Sequence, residues 1–256
     1  MVDDFTKEIA KEVVAQTAGK AYEDLAHPIL STIGKSLQGA TRVALAPVSA
    51  LIWGYDKIAG YLDVAIPEYF ARRGIKKENI QSPDPSIAGP IIEAMRFTSH
   101  KPELREMFTN LLGSSMNAES YDEHPAFVEI IKQLSSDECK MLKQLRKEKI
   151  FPMIKQRLSL PDGGGMDITP YFSDICYTAQ CELPQKFPEY LDNLNRLGLV
   201  TVHYDAYLVK DQYYIDLLNN KNYIKAIPKQ GQEITDKKSF YELSEMGKKF
   251  CAICME

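Results

Sequence analysis

With 256 residues, 45% of them apolar and 26% charged, and a net charge of −4, the chain has the make-up of an ordinary globular protein, with two domains favoured over one. Residues 1–134 hold 14 Lys/Arg against 18 Asp/Glu and residues 135–256 hold 17 against 17, so neither half has the basic excess that binding a phosphate backbone normally requires. Five cysteines without framework spacing, and an acidic opening (MVDDFTKEIAKEVV) unlike a signal peptide, lead us to expect a cytoplasmic protein.

From Asp3 to about Gly74 the pattern is helical and rich in alanine and glycine. Phe5, Ile9 and Val13 form one stripe, His27-Pro28 breaks or kinks it, and Ile33 and Leu37 keep phase in a second segment from Ile29 to Leu45. A third helix is expected from about Val48 to Arg72. Across its start, Val43 to Tyr55 is an uncharged run of thirteen residues that holds the only tryptophan, Trp53. A bilayer-spanning helix needs about 20 apolar residues, so a run of this length reads as a buried or interfacial segment. It has to be covered by the rest of the protein, by a partner or by a membrane surface. It lacks the Lys/Arg-rich polar face of interfacial helices. A helical hairpin closing on a neighbour is therefore the simpler reading, and membrane insertion the sharper one.

Residues 75–86 read as an extended linker around Pro83 and Pro85. A helical bundle follows. Ile87, Ile91 and Met95 stack at helical spacing, with Pro90 tolerable only in a first turn. Leu104, Met107, Phe108, Leu111 and Leu112 make a second amphipathic helix, with Ser99 or His100 as its cap. Phe127, Ile130, Ile131 and Leu134 make a third. Ser135 and Glu138 fit a capping box that opens a helix through Leu145.

Beyond it we expect a strand over Ile150–Leu160, a turn at Gly163-Gly164-Gly165 and an extended piece from Asp167 to Phe172. A helix from Lys186 to Leu197 is closed by Gly198. A strand over Leu199–Tyr204, a β-prone Phe240–Leu243 and a closing helix complete the chain. Helices, a strand pair and a final helix suggest a winged-helix-like module.

No pattern for chemistry assembles. Cys251-x-x-Cys254 is half a zinc site without the other half. The four histidines are scattered, and no GxSxG, Walker-type or HExxH motif occurs. No metal or cofactor is expected, and the protein is read as not an enzyme. Glu93, Arg96, Glu103, Arg105, Glu106 and Asn110 could form an inter-helix charge network or a docking surface. On the helix KFPEYLDNLNRLG, acids balance Lys186 and Arg196, which fits protein contact better than base readout. Tyr204, Tyr207, Tyr213 and Tyr214 add interface-type side chains.

Four stretches in order, LAPVSALIWGYDKI, ENIQSPDPSIAGPIIEAMRFTS, ELREMFTNLLGSSM and HPAFVEIIKQLSSDECKML, resemble the abortive-infection alpha family over about residues 40–145. The stretches NLNRLGLVTV and FYELSEMGKKFCAIC are similar to winged-helix modules. The family resemblance implies an intracellular bacterial protein of phage defence, and no catalytic residues come with it.

The expected fold is thus mainly α. An N-terminal Ala/Gly-rich helical region (1–74) and a helical bundle (75–145) precede a winged-helix-like α+β domain (146–256). The expected function is non-enzymatic defence through an interaction surface that includes Leu45, Leu51, Ile52, Trp53, Tyr55, Glu93, Arg96, Arg105 and Asn110. The segment 43–62 is expected to change partners when infection is sensed. The partners expected are a second copy, a phage or host protein, or the inner-membrane surface. A winged-helix regulator that binds nucleic acid is the competing reading.

Overall fold

The computed structural model describes residues 52–120, 123–160, 164–228 and 232–255. The expectations for the helices before Leu51, for Leu45 and Leu51 themselves and for Gly163 lie outside these residues. Those described from Ile52 onward belong to one compact unit, mostly helical, with a small four-stranded antiparallel sheet.

Local chemistry sets the helix boundaries. Helix α1 (Tyr55–Arg73) starts at Gly54 rather than near Val48, because the chain at Gly54 is still extended (ψ 163°). It ends at Gly74, whose φ of 65° suits a residue without Cβ and lets the Ile75 N–H close onto the Phe70 carbonyl at 2.9 Å. The linker contains a short 3-10 turn, Lys77–Asn79, and Ile80 bridges to Asn117. Helix α2 (Pro85–Thr98) is capped by Asp84, which accepts from the Ser86 N–H at 2.7 Å, with Pro85 at the first position. Pro90 accordingly lies inside the helix, beyond the four N–H groups that need no helical partner.

Helix α3 (Pro102–Ser115) begins after Lys101 with no side-chain cap. Ser99, the expected cap, instead ends α2. Helix α4 (Ala126–Lys132) is short, and Leu134 packs from just beyond it. Helix α5 (Ser136–Glu148) opens with the expected capping box: Glu138 N–H to Ser135 Oγ at 3.2 Å and Ser135 N–H to Glu138 Oε2 at 2.6 Å.

Strand β1 (Ile150–Ser159) turns back on β2 (Gly165–Asp167), a hairpin of only three pairs. Two helices follow, the single-turn α6 (Ile175–Thr178) and α7 (Phe187–Arg196), and then β3 (Val200–His203). Helix α8 (Gln212–Leu218), strand β4 (Glu233–Leu243) and helix α9 (Glu245–Cys254) complete the order. The sheet runs β2-β1-β4-β3, all antiparallel, with Ile150 opposite Glu242 and Ser159 opposite Glu233. The main partner of β1 is therefore the sequence-distant β4. The β-prone Phe240–Leu243 is only the last third of that strand. Its outer part, Glu233–Lys238, carries charges that hide it from a hydrophobicity pattern. The piece 167–172 contributes only the end of β2 and a bridge from Phe172 to Ile154. Helix α6, a single turn, is too short to show a period.

Burial on both faces explains the apolar run Phe151–Ile154 near the start of β1. Phe151 and Met153 face the main core, while Ile154 on the other face joins Tyr214, Leu217 and Tyr223 beneath α8. The main core is continuous from Trp53 through α1–α5 to α7, β4 and α9, so the boundary expected at 145/146 falls inside it. Helix α9 is seated in the bundle by its C-terminal carbonyls, which have no partners within the helix. Arg73 donates to the Ala252 carbonyl (3.2 Å), Asn110 Nδ2 to Cys254 (3.1 Å) and Arg146 to Met255 (3.0 Å). Two cations at this end also match the helix dipole. Phe127 meets Phe250 edge-to-face at 5.3 Å. Cys251 and Cys254 are core residues, and burial pushes the Cys251 thiol up to about 12.

Gly247 marks the tightest joint. A methyl group there would sit inside van der Waals contact of the Leu199 carbonyl oxygen. Gly247→Ala is expected to destabilise the protein by about 2–3 kcal/mol in urea unfolding. Gly89→Ala, in a helix with open space around it, is expected to be neutral or to stabilise by up to about 1 kcal/mol.

Candidate interaction site at Trp53

The cluster around Trp53 is built where the chain enters α1. The Trp53 N–H donates to the Arg96 carbonyl at 2.8 Å, which fixes the entry strand against the last turn of α2. Gly54 then starts α1 and brings Lys57 and Tyr61 beneath the indole. Tyr61 meets it edge-on (5.9 Å, 76°), and Lys57 Nζ stands 4.4 Å from the ring centre. From α3, the Arg105 guanidinium lies 5.4 Å from the Trp53 ring and 5.1 Å from the Tyr61 ring. Arg105 is oriented by donating to the Ser99 carbonyl at 3.0 Å. Two cations on one aromatic pair give a firmly seated indole, each such contact contributing on the order of 1 kcal/mol.

Trp53 is only 9% exposed. Its cover comes from its own chain, so it needs neither partner nor membrane for shelter. Its neighbours differ. Ile52 is 39% exposed, Tyr55 59% and Phe97 51%. Arg96 lies between Tyr55 and Phe97, with its guanidinium 5.2 and 5.4 Å from their rings, and pairs with Glu93 at 3.4 Å. The Tyr55 hydroxyl donates to the other Glu93 oxygen at 3.3 Å. The Arg96 Nε is buried without a hydrogen-bond partner. Beside this patch Tyr55, Pro83, Pro85, Ala88, Gly89, Ile92 and Glu93 line an open cleft of about 460 Å³.

The structure thus gathers Ile52, Trp53, Tyr55, Glu93, Arg96 and Arg105 into one surface region. Asn110 is elsewhere: fully buried, it ties α3 to α9, and its Oδ1 has no partner. Glu106 faces α5 and pairs with Lys143 at 3.0 Å, so the expected six-residue network divides into separate contacts. Of the four tyrosines, Tyr204, Tyr207 and Tyr213 are exposed, while Tyr214 is fully buried and donates to the Ser239 carbonyl at 3.0 Å.

A site missed in the sequence is Asp137, an ordinary-looking acid in the first turn of α5 that is only 5% exposed. Its carboxylate accepts from the Glu182 N–H (2.9 Å), the Leu183 N–H (3.0 Å), the Tyr190 hydroxyl (3.0 Å) and Lys140 (3.3 Å). Burial acts to raise this carboxyl, but the two backbone donors, Tyr190 and Lys140 together outweigh it and hold it below its usual range. Next to it Glu138 Oε1 accepts from Asn193 of α7 at 2.6 Å. No group of three or more His, Cys, Asp or Glu residues suited to a metal ion occurs among the described residues. Nor, among them, is any helix long and apolar enough to cross a membrane.

A mainly helical protein with one seated tryptophan, an aromatic–cation surface and a small antiparallel sheet is the class these features define. The family described as abortive infection alpha matches residues 63–254, three-quarters of the sequence, and the chain belongs to it. The match starts later than the 40–145 range first quoted and runs through the C-terminal part. Trp53 and Tyr55 therefore precede it, and Glu93, Arg96 and Arg105 fall within it. Membership suggests a role in phage defence. Among solved structures, the chain is similar to an uncharacterized protein from the hydrocarbon-degrading marine bacterium Alcanivorax borkumensis SK2. That similarity is 15% identity over 50% of this chain and 90% of that chain, with a TM-score of 0.35. No curated protein matches the sequence.

Asp137→Asn keeps the shape but turns one acceptor oxygen into a donor facing other donors. A loss of about 2–4 kcal/mol is expected in urea unfolding at pH 7. Because the native carboxyl titrates below its unfolded value (about 3.9), the wild-type advantage is full above that pH. It should shrink as the pH falls through the depressed native value, and the two unfolding midpoints should converge there.

Proposed function

We propose that the protein acts in phage defence without catalysis, by binding another protein through the surface around Trp53. One observation carries this reading. Ile52, Tyr55 and Phe97 expose large apolar side chains on a firmly organised base of Trp53, Arg96 and Arg105, and aromatic residues beside arginine are the composition of interface hot spots. The organised base lowers the entropy lost when a partner docks. Trp53 stays seated in this reading, and the exposed rim changes occupant when infection is sensed. A second copy of the chain, a phage protein and a host protein are the candidate partners, with an inner-membrane surface as the further option.

The winged-helix-like reading of residues 146–256, and a nucleic-acid partner with it, has less support. On α7, Arg196 donates to Gln133 Oε1 at 2.9 Å and Asn193 to the Gln133 carbonyl at 3.1 Å. Arg196 and Asn193, two side chains of the kind that read base edges, are thus tied to a residue of the same chain.

The test uses surface positions whose loss spares the core. Tyr55→Ala and Phe97→Ala, alone and combined, are compared with wild type for phage plating efficiency and for urea unfolding. The combined variant is expected to lose about tenfold or more of the protection with little change in unfolding midpoint. Full protection by the combined variant would overturn the proposal. In parallel, a steep salt dependence in DNA or RNA gel shifts would favour the nucleic-acid reading.

A further inference from the structure

Cys176 and Cys181 lie on either side of the turn that ends α6. Gln180 adopts the left-handed conformation (φ 55°), the Gln180 N–H donates to the Tyr177 carbonyl at 3.2 Å, and the Cys181 N–H donates to the Cys176 carbonyl at 2.8 Å. This is the paired hydrogen bonding of a Schellman turn. It sets the residue two places beyond a helix against a residue of its last turn. A disulfide requires that kind of closeness, with Cα atoms roughly 4.4–6.8 Å apart. The side chains are also neighbours: each thiol acts on the other's ionisation, and the Cys181 S–H points to the Asp137 carbonyl oxygen at 3.6 Å.

The two thiols differ in a useful way. Cys176 is fully buried, whereas Cys181 is partly exposed and open to a small reagent. The adjoining Cys176 thiol, followed by the nearby Lys140 ammonium, acts to lower the Cys181 thiol, and these outweigh its burial and the Asp137 charge. The other cysteines lack both features. Cys139, Cys251 and Cys254 are buried, and burial raises all three thiols well above the ordinary range. Reactivity toward oxidants follows thiolate character and access.

We propose that Cys176 and Cys181 form a peroxide-responsive dithiol site, with Cys181 the attacking sulfur and Cys176 the resolving one. The Cys181 thiolate attacks the O–O bond of a hydroperoxide. The S–O bond forms, the O–O bond breaks, and the departing oxygen takes a proton and leaves as an alcohol, or as water from hydrogen peroxide. Cys176 then attacks the Cys181 sulfenic acid. The S–S bond forms, the S–O bond breaks, and hydroxide leaves with the Cys176 proton as water. Two electrons pass from the thiol pair to the peroxide, whose O–O bond supplies the only oxidant needed. Oxidation also removes the S–H directed at the Asp137 carbonyl, so the redox state alters the turn that feeds Glu182 and Leu183 to the Asp137 carboxylate.

The experiment treats the reduced full-length chain with hydrogen peroxide, denatures it in iodoacetamide and maps the tryptic peptides. Cys176 and Cys181 share the peptide of residues 158–186, because no Lys or Arg lies between Arg157 and Lys186. After peroxide this peptide is expected to carry no alkyl group and to weigh about 2 Da less than the dithiol. It should form about tenfold or more faster than any change at the other three cysteines. Cys176→Ser should leave a sulfenic acid on residue 181 that dimedone captures, and Cys181→Ser should leave Cys176 as a thiol. Full alkylation of both cysteines after peroxide, stable oxidation of Cys181 without the internal bond, or a disulfide to another cysteine would each overturn the proposal. The wild-type map decides the matter even if a serine variant fails to fold.

Discussion

A buried carboxylate, Asp137, ties the start of α5 to the segment 181–190. Taking Asp137 out of water costs several kcal/mol, and only a full set of donors offsets it. Two of those donors are backbone N–H groups of Glu182 and Leu183, a third is Tyr190, and the fourth is Lys140 on the same helix. The carboxylate also sits in the first turn of α5, where the helix dipole favours negative charge. The segment 181–190 therefore has one position relative to α5 in which no charge is stranded. Asn193 meeting Glu138 and Arg196 meeting Gln133 extend the same contact along α7. Once α7 is placed, β3 and β4 follow, and α9 returns to the bundle with its terminal carbonyls on Arg73, Asn110 and Arg146.

The Trp53 surface rests on the same helical bundle. Arg105 stands on α3, the helix against which α1, α2, α4, α5 and α9 pack, and its guanidinium serves both Trp53 and Tyr61. The indole is consequently part of the scaffold, and Ile52, Tyr55 and Phe97 are the exposed groups beside it. The proposed interaction role draws on that division between side chains that are held and side chains that remain available. The Cys176–Cys181 turn lies at the other joint of the frame, next to Asp137, where oxidation would act on the contact that orders the C-terminal half.

The bundle was legible because its signals are local. Ser135 and Glu138 announce a capping box within four residues, and Leu104 to Leu112 show the helical period at once. Gly198 (φ 71°) closes α7 as its position predicts. What the sequence hid is non-local. The pairing of β1 with β4 joins strands more than seventy residues apart, and the charged outer part of β4 alternates too weakly to stand out. Helix α6 has too few residues for a period. At the site, Trp53 was conspicuous as the only tryptophan in an uncharged run, but nothing in the run told that Arg105 and Tyr61 would cover it. Asp137 looked like any first-turn acid, since its burial depends on a loop forty-five residues away. Asn110 sat in the same polar series as Arg105, yet its helical phase carries it to the core.

The most direct test of this account is native-state hydrogen exchange on the full-length chain in rising urea, followed separately for amides of α3 and of the β1–β4 ladder. If the Asp137 contact and the continuous core make one cooperative unit, the slowest amides of both elements should merge into a single opening isotherm. Ladder amides that exchange through an opening of their own, while α3 stays protected, would contradict it.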